Sequence, residues 1–279
     1  MIIIFTILSV LLTIYILIRL RELLDGHKDG QQFEGDHGLK LTLQSIAGLE
    51  LSGRLFKVNN PKGLIILAHG YHRKYGGARQ LYEHSLLLNN MGYDTILFNF
   101  RSFGESRGTR STLGIEEWKD LAGVYRYAKE KLNYNRIGLY GFSMGAATTL
   151  IAAGKEQIGD FIIVLAPFAR ITNLFMKFLL RENYLLSITL PFIYIAFFIK
   201  FGTKYINISP LNFIKKIKKP ILIIEAKFDR VVEANDSELL HKSNSYSILE
   251  VAPTGHDIFV DNPEFVKNAI QKFFSKFNF

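Results

Sequence analysis

Short, nearly unbroken apolar runs recur along this chain, spaced so that one helix fits between most of them, and that spacing restricts its fold more than any other feature. They are residues 63–68 (GLIILA), 94–100 (DTILFNF), 136–140 (RIGLY), 161–165 (FIIVL) and 221–224 (ILII). A strand that is apolar on every side chain has to be covered on both faces, which is the condition of a parallel strand inside a sheet. The intervening segments 78–91, 115–132, 144–154 and 235–243, with 263–277 at the end, carry helical patterns. Strands alternating with helices predict an α/β fold with a mostly parallel central sheet and helices on both faces. Residues 39–44 and 49–58 instead alternate apolar and polar side chains, as antiparallel opening strands do, and 246–251 (YSILEV) is a further, less uniformly apolar strand.

Composition narrows the function classes. Hydrophobic residues make up 48% of the 279 and charged residues 21%, which excludes a disordered or low-complexity protein. With no cysteine, disulfides, iron–sulfur clusters, thiolate zinc sites and a cysteine nucleophile are excluded. There is no H-E-x-x-H, G-x-G-x-x-G or Walker A spacing, so no metal and no cofactor are expected. The net charge of +9 comes without a nucleic-acid motif, and no nucleic-acid partner is expected.

Residues 1–18 carry no charged side chain, and Arg19 is the first. Eighteen helical residues span about 27 Å, close to a hydrocarbon core of about 30 Å. A cleaved signal peptide would need basic residues before the run and a small-residue cleavage site after it, and neither is present. The alternative, a core helix, would be apolar on every face. The expectation is an N-terminal transmembrane anchor over 1–20 and a linker over 21–37, leading to one catalytic domain over 38–279. Arg19, Arg21 and Lys28 follow the run, so a single-pass protein of the cell membrane with its domain on the cytoplasmic side is expected.

The chemistry gathers at the ends of the strands. Gly141-Phe142-Ser143-Met144-Gly145 follows RIGLY directly and opens a helical pattern, giving strand, sharp turn and helix around one serine. A serine hydroxyl is a weak nucleophile at neutral pH and needs an imidazole base oriented by a carboxylate. Asp229 follows ILIIEAKF, at the mouth of a buried strand, and His256 lies just after YSILEV. Glu225, Glu233, Asp236 and Asp257 are rival acids, of which Glu225 still lies in the strand end and Asp257 adjoins His256. His69-Gly70-Tyr71 closes GLIILA, so the backbone N–H groups of Tyr71 and Met144 are the expected oxyanion donors. His69 reads as a structural residue bonded within its own loop. His27, His37, His72, His84 and His241 read as surface or satisfied histidines.

The segments LAHGYHRKYGG, FNFRSFGESRGTRSTLGIEEWKDL, IGLYGFSMGAATTL, PILIIEAKFDRVVEANDSELL and VAPTGHDIF together resemble the α/β-hydrolase superfamily, in its lysophospholipase and serine aminopeptidase-like branch. The order Ser143, Asp229, His256 is that superfamily's chain order. The family pattern D-x-R-G-x-G-x-S is altered here to residues 99–106 (NFRSFGES). The resemblance implies an α/β-hydrolase fold with a helical cap and a Ser143–His256–Asp229 triad.

Residues 168–219 occupy the place of that cap. They hold eight of the 23 phenylalanines and nine cations against the single Glu182. Within them, the uncharged run 183–199 cannot span a bilayer, because Ser143 precedes it while Asp229 and His256 follow it. Such a lid fits over an acyl chain or dips into a lipid interface. The expected function is a serine hydrolase of carboxylic esters, with acyl-ester or lysophospholipid-like substrates. The expected partners are therefore a small-molecule ester and membrane lipid, the latter through the anchor and the cap. A peptidase or amidase on the same triad, or an inactive binding protein of the same fold, are the alternatives. No feature of the sequence assigns an oligomeric state.

Overall fold

The computed structural model describes residues 14, 15, 18, 38–71, 77–171, 208–233 and 235–279. Eight strands form one sheet: β1 (Leu39–Gln44), β2 (Glu50–Phe56), β3 (Leu64–Ala68), β4 (Asp94–Phe98), β5 (Ile137–Phe142), β6 (Phe161–Leu165), β7 (Ile221–Ala226) and β8 (Ser247–Ala252). Their order is β1-β2-β4-β3-β5-β6-β7-β8. β1 pairs antiparallel with β2 and β2 antiparallel with β4, while every other neighbouring pair is parallel. β3 through β6 are buried at every residue, as their unbroken apolar sequences require, whereas β1 and β2 alternate.

A 3₁₀ turn (Ala78–Leu81) leads into α1 (Tyr82–Asn90). Further helices among the described residues are α2 (Trp118–Glu130), α3 (Met144–Glu156), α4 (Pro210–Ile214), α5 (Asp236–Lys242), α6 (Ile258–Asp261) and α7 (Pro263–Phe277). One core layer packs α2, α3 and α4 against the sheet through Leu121, Val124, Leu150, Leu211 and Ile214. The opposite layer packs α1 and α7 through Leu88, Val266, Ile270 and Phe273. The segment after β3 therefore covers one face and the helix after β5 covers the other. β3 and β5 are neighbours, so the strand order reverses between them. The crevice outside their carboxyl ends is where an open α/β sheet places its ligand.

The short helices α4 and α6 have no counterpart in the apolar-run pattern. α4 lies at the end of the expected insert, and its Leu211 and Ile214 are buried in the core; Ser209 caps it by accepting from Asn212 N–H. Residues 172–207 of that insert lie outside the described residues, as does the linker over 21–37.

The membrane placement is corrected. Among the described residues no helix is long and apolar enough to cross a bilayer. The longest of them, α7, has 15 residues and spans about 23 Å, with Glu264, Lys267, Lys272 and Lys276 along it. Of residues 1–18 only Ile14, Tyr15 and Ile18, all helical, are among those described. A single-pass cell-membrane protein with a cytoplasmic domain is not supported, and neither is the lipid contact that depended on its anchor.

Candidate active site

Ser143 stands between β5 and α3 with φ 52° and ψ −113°. A side chain at positive φ crowds its own backbone, at a cost of about 1–2 kcal/mol. The surrounding fold holds it there: Ser143 N–H donates to Leu165 O at the end of β6 at 2.9 Å. The flanking glycines make the turn sterically possible. A Cβ on Gly145 would lie 1.9 Å from Ala68 O, and one on Gly141 would lie 2.5 Å from Gly145 O. The first turn of α3 thus rests directly on the backbone that leaves β3.

Two loops converge on this serine. His256 Nε2 lies 2.9 Å from Ser143 Oγ, and His256 Nδ1 lies 2.7 Å from Asp229 Oδ2. The second Asp229 oxygen accepts from Val231 N–H at 2.7 Å and Val232 N–H at 2.9 Å. Burial alone would raise the Asp229 pKa. The hydrogen bond and charge of the His256 imidazole, with the Val232 and Val231 amides, outweigh burial and hold it below the usual carboxylate value. The His256 ring also meets Phe142 of β5 at 5.3 Å. Among the rival acids, Asp257 caps α6 by accepting from Val260 N–H. Glu225 sits in β7 with its carboxyl pushed up by burial and by the nearby Glu238 and Asp229. Asp229 is the carboxylate on His256 Nδ1.

The backbone segments that precede Tyr71 and follow Met144, the expected oxyanion donors, are in contact, because Gly145 packs on Ala68 and His69. Met144 opens α3, so its N–H has no acceptor within the helix and lies at the positive end of the helix dipole. Tyr71 follows the Ala68–His69 backbone against which Gly145 packs. The Met144 side chain rests on a buried knot, because Ser111 Oγ lies 3.7 Å from Met144 Sδ and donates to Glu117 Oε1 at 2.9 Å. Glu117, fully buried, also accepts from the backbone N–H groups of Thr112 and Gly114 and from the Thr112 hydroxyl.

The histidines divide by environment. His69 is buried and bonded within its loop. His84 is buried too: its Nδ1 meets Tyr140 Oη at 2.5 Å, and its ring stacks 3.8 Å from Phe259, three residues after His256. Burial lowers its pKa to about 3, so it is neutral. His241 bonds Ser247 Oγ at 2.8 Å, and His27, His37 and His72 lie outside the described residues. Sequence reasoning does not find Glu117 or the His84–Tyr140 pair. Neither carries a motif, since each depends on a partner that only the fold brings close.

Comparison with known proteins identifies the family to which the chain belongs. A family model described as "Serine aminopeptidase, S33" matches residues 59–206. This chain belongs to that family of α/β hydrolases. A relative from Bacillus subtilis, the uncharacterised protein YqkD, is 30% identical over 267 residues, covering 92% of this chain and 86% of that protein. The zebrafish (Danio rerio) lysophosphatidylserine lipase ABHD12 is 26% identical over 188 residues, covering 63% of this chain but only 45% of the lipase. Among solved structures, the Pyrococcus furiosus esterase Pf2001 superposes with a TM-score of 0.70 at 21% identity, covering 89% of this chain and 98% of the esterase. At that identity the likeness speaks to the fold.

Proposed function

We propose that this α/β hydrolase cleaves carboxylic esters through an acyl-enzyme formed on Ser143. The observation that carries the reading is the relay of two hydrogen bonds, Ser143 Oγ to His256 Nε2 and His256 Nδ1 to Asp229. In this reading Ser143 Oγ attacks the ester carbonyl carbon while His256 Nε2 takes its proton. The carbonyl oxygen becomes an oxyanion held by the N–H groups of Tyr71 and Met144. His256 then gives the proton to the departing alcohol oxygen, leaving the acyl group on Ser143. Water, deprotonated by the same imidazole, attacks the acyl-enzyme, and collapse of the second tetrahedral species returns the proton to Ser143 Oγ and frees the acid. Asp229 keeps His256 in the tautomer that leaves Nε2 free to accept.

Ester specificity rests on the esterase and lipase named among the relatives. Residues 38–279 are then one catalytic domain. An amidase or peptidase reading draws on the family's aminopeptidase description. A panel of p-nitrophenyl acyl esters run beside aminoacyl anilides decides between them. Faster turnover of the esters is expected, and anilide turnover without ester turnover overturns the ester reading. A fluorophosphonate probe should label Ser143 and leave Ser143→Ala unlabelled. Labelling of a different serine would remove the nucleophile assignment.

A further inference from the structure

Two side chains outside the relay hold the two successive peptides on either side of Gly70, the second of which carries the Tyr71 N–H, one of the expected oxyanion donors. His69 Nε2 accepts from Phe100 N–H at 3.1 Å, and His69 Nδ1 lies 2.8 Å from Gly70 O. A neutral imidazole has one N–H. With Nε2 accepting, the proton is on Nδ1, which donates to the Gly70 carbonyl. The ring stays neutral because burial, only partly offset by the bond to Gly70, lowers its pKa to about 4. Phe100 and Phe103 pack against it with ring centroids at 4.9 and 4.8 Å.

The Gly70 carbonyl and the Tyr71 N–H belong to one planar trans peptide and point in opposite directions. Holding the oxygen on His69 therefore fixes where the Tyr71 N–H points. The preceding peptide is held as well, because Gly70 N–H donates to Gln80 Oε1 at 2.8 Å. Gly70 is closely surrounded: a Cβ there would lie 3.0 Å from both Gln80 Oε1 and Phe142 Cδ1. Gln80 has its own anchor. It stands in the 3₁₀ turn Ala78–Leu81, whose Ala78 N–H donates to Asn99 Oδ1 at 2.7 Å, and Asn99 Nδ2 donates to Ser52 Oγ at 2.9 Å.

We propose that Gln80, acting with His69, is a positioning residue for the oxyanion-binding amide of Tyr71, a role that rests on the serine-hydrolase reading above. Gln80 holds the peptide before Gly70 and His69 the peptide after it, so the amide faces the developing anion before substrate arrives. Preorganisation of this kind acts in the transition state, because the anion does not exist in the ground state.

The test is turnover of p-nitrophenyl acetate by the full chain carrying Gln80→Leu or Gln80→Glu. Leucine removes the acceptor, and glutamate keeps an acceptor oxygen at the same reach. For Gln80→Leu, kcat should fall at least ~10-fold with KM within about 2-fold, and fluorophosphonate labelling should slow in parallel. Gln80→Glu should stay within about 3-fold of wild type. Gln80→Met, with nearly the same length, replaces Leu if that variant does not fold. A folded Leu or Met variant with wild-type kcat, or a Glu variant as slow as the Leu one, overturns the proposal. Absence of Ser143 labelling in the wild-type chain sinks the serine-hydrolase reading itself, whereas labelling with an insensitive Gln80 sinks only the positioning role.

Discussion

Asp229 divides its two carboxylate oxygens between His256 Nδ1, at 2.7 Å, and the backbone N–H groups of Val231 and Val232, at 2.7 and 2.9 Å. The division predicts what Asp229→Asn does. The amide oxygen would stay with the two backbone donors, which accept no substitute, and the NH₂ group would face His256. That donor turns Nδ1 into an acceptor and moves the ring proton to Nε2, so the imidazole can no longer take the Ser143 proton. Ester kcat should fall by roughly 10³–10⁴ with KM little changed. Near-wild-type turnover in the purified variant would show that the tautomer is not set by Asp229.

Gly145 and Gly48 separate two reasons for a glycine. At Gly145 an added Cβ would lie 1.9 Å from Ala68 O and 2.6 Å from His69 O, both backbone atoms on a buried strand end. Gly145→Ala should push α3 off β3, displace Ser143 and remove activity along with several kcal/mol of stability, on the order of the larger core-overpacking losses. Gly48 has φ +81° and nothing within 4 Å of a Cβ. Gly48→Ala should cost only about 1–2 kcal/mol of backbone strain and leave turnover intact. Urea unfolding and ester turnover on both variants check the contrast.

Where a local pattern specifies part of this molecule, that part is legible in the amino-acid sequence. β3, β5 and β6 need apolar residues at every position, so their sequences announce both the strands and the two helical layers. The turn at Ser143 announces itself because only glycine fits at 141 and 145. β8 is less apolar because it pairs on one side only, with β7. The 3₁₀ turn at Ala78–Leu81 is hidden within the expected helix 78–91, since a tightened first turn keeps nearly the same apolar spacing. The contacts of Gln80 with Gly70, Asn99 with Ala78 and His84 with Phe259 leave no trace in spacing. They join segments that become neighbours only once the sheet has formed.

Glu117 gives a prediction about stability beneath the site. Its Oε1 accepts from Ser111 Oγ and Thr112 N–H, and its Oε2 from Thr112 Oγ1 and Gly114 N–H. In Glu117→Gln the hydroxyls can rotate to accept from the new NH₂, but a backbone N–H cannot. Whichever way the amide is turned, the N–H of Thr112 or of Gly114 loses its partner. The cost should be about 1–3 kcal/mol. Because Ser111 also touches Met144, a modest loss of kcat should accompany it. An unchanged urea midpoint would show that the loop relaxes to rescue the donor.

The two histidines buried among the described residues make stability depend on acid in a defined window. Burial lowers His69 to about 4, partly offset by its bond to Gly70, and lowers His84 to about 3, against an ordinary value of 6.5. Between pH 6.5 and about 4 the unfolded chain takes up protons at both rings while the native chain does not, so the unfolded state gains as pH falls. The stability these rings permit is complete above pH 6.5 and is lost progressively toward their native values. Going from pH 7 to pH 5 should cost on the order of 2 kcal/mol per histidine. Asp229, held below the usual carboxylate value, adds its own loss only at lower pH. Glu225, whose carboxyl is pushed up by burial, acts in the opposite sense. His84→Phe keeps a ring against Phe259 but strands the Tyr140 hydroxyl, so stability at pH 7 should fall while the pH 7 to pH 5 difference shrinks by about half. Urea unfolding at the two pH values reads both quantities, and a His84→Phe variant with the full wild-type difference would place the proton uptake elsewhere.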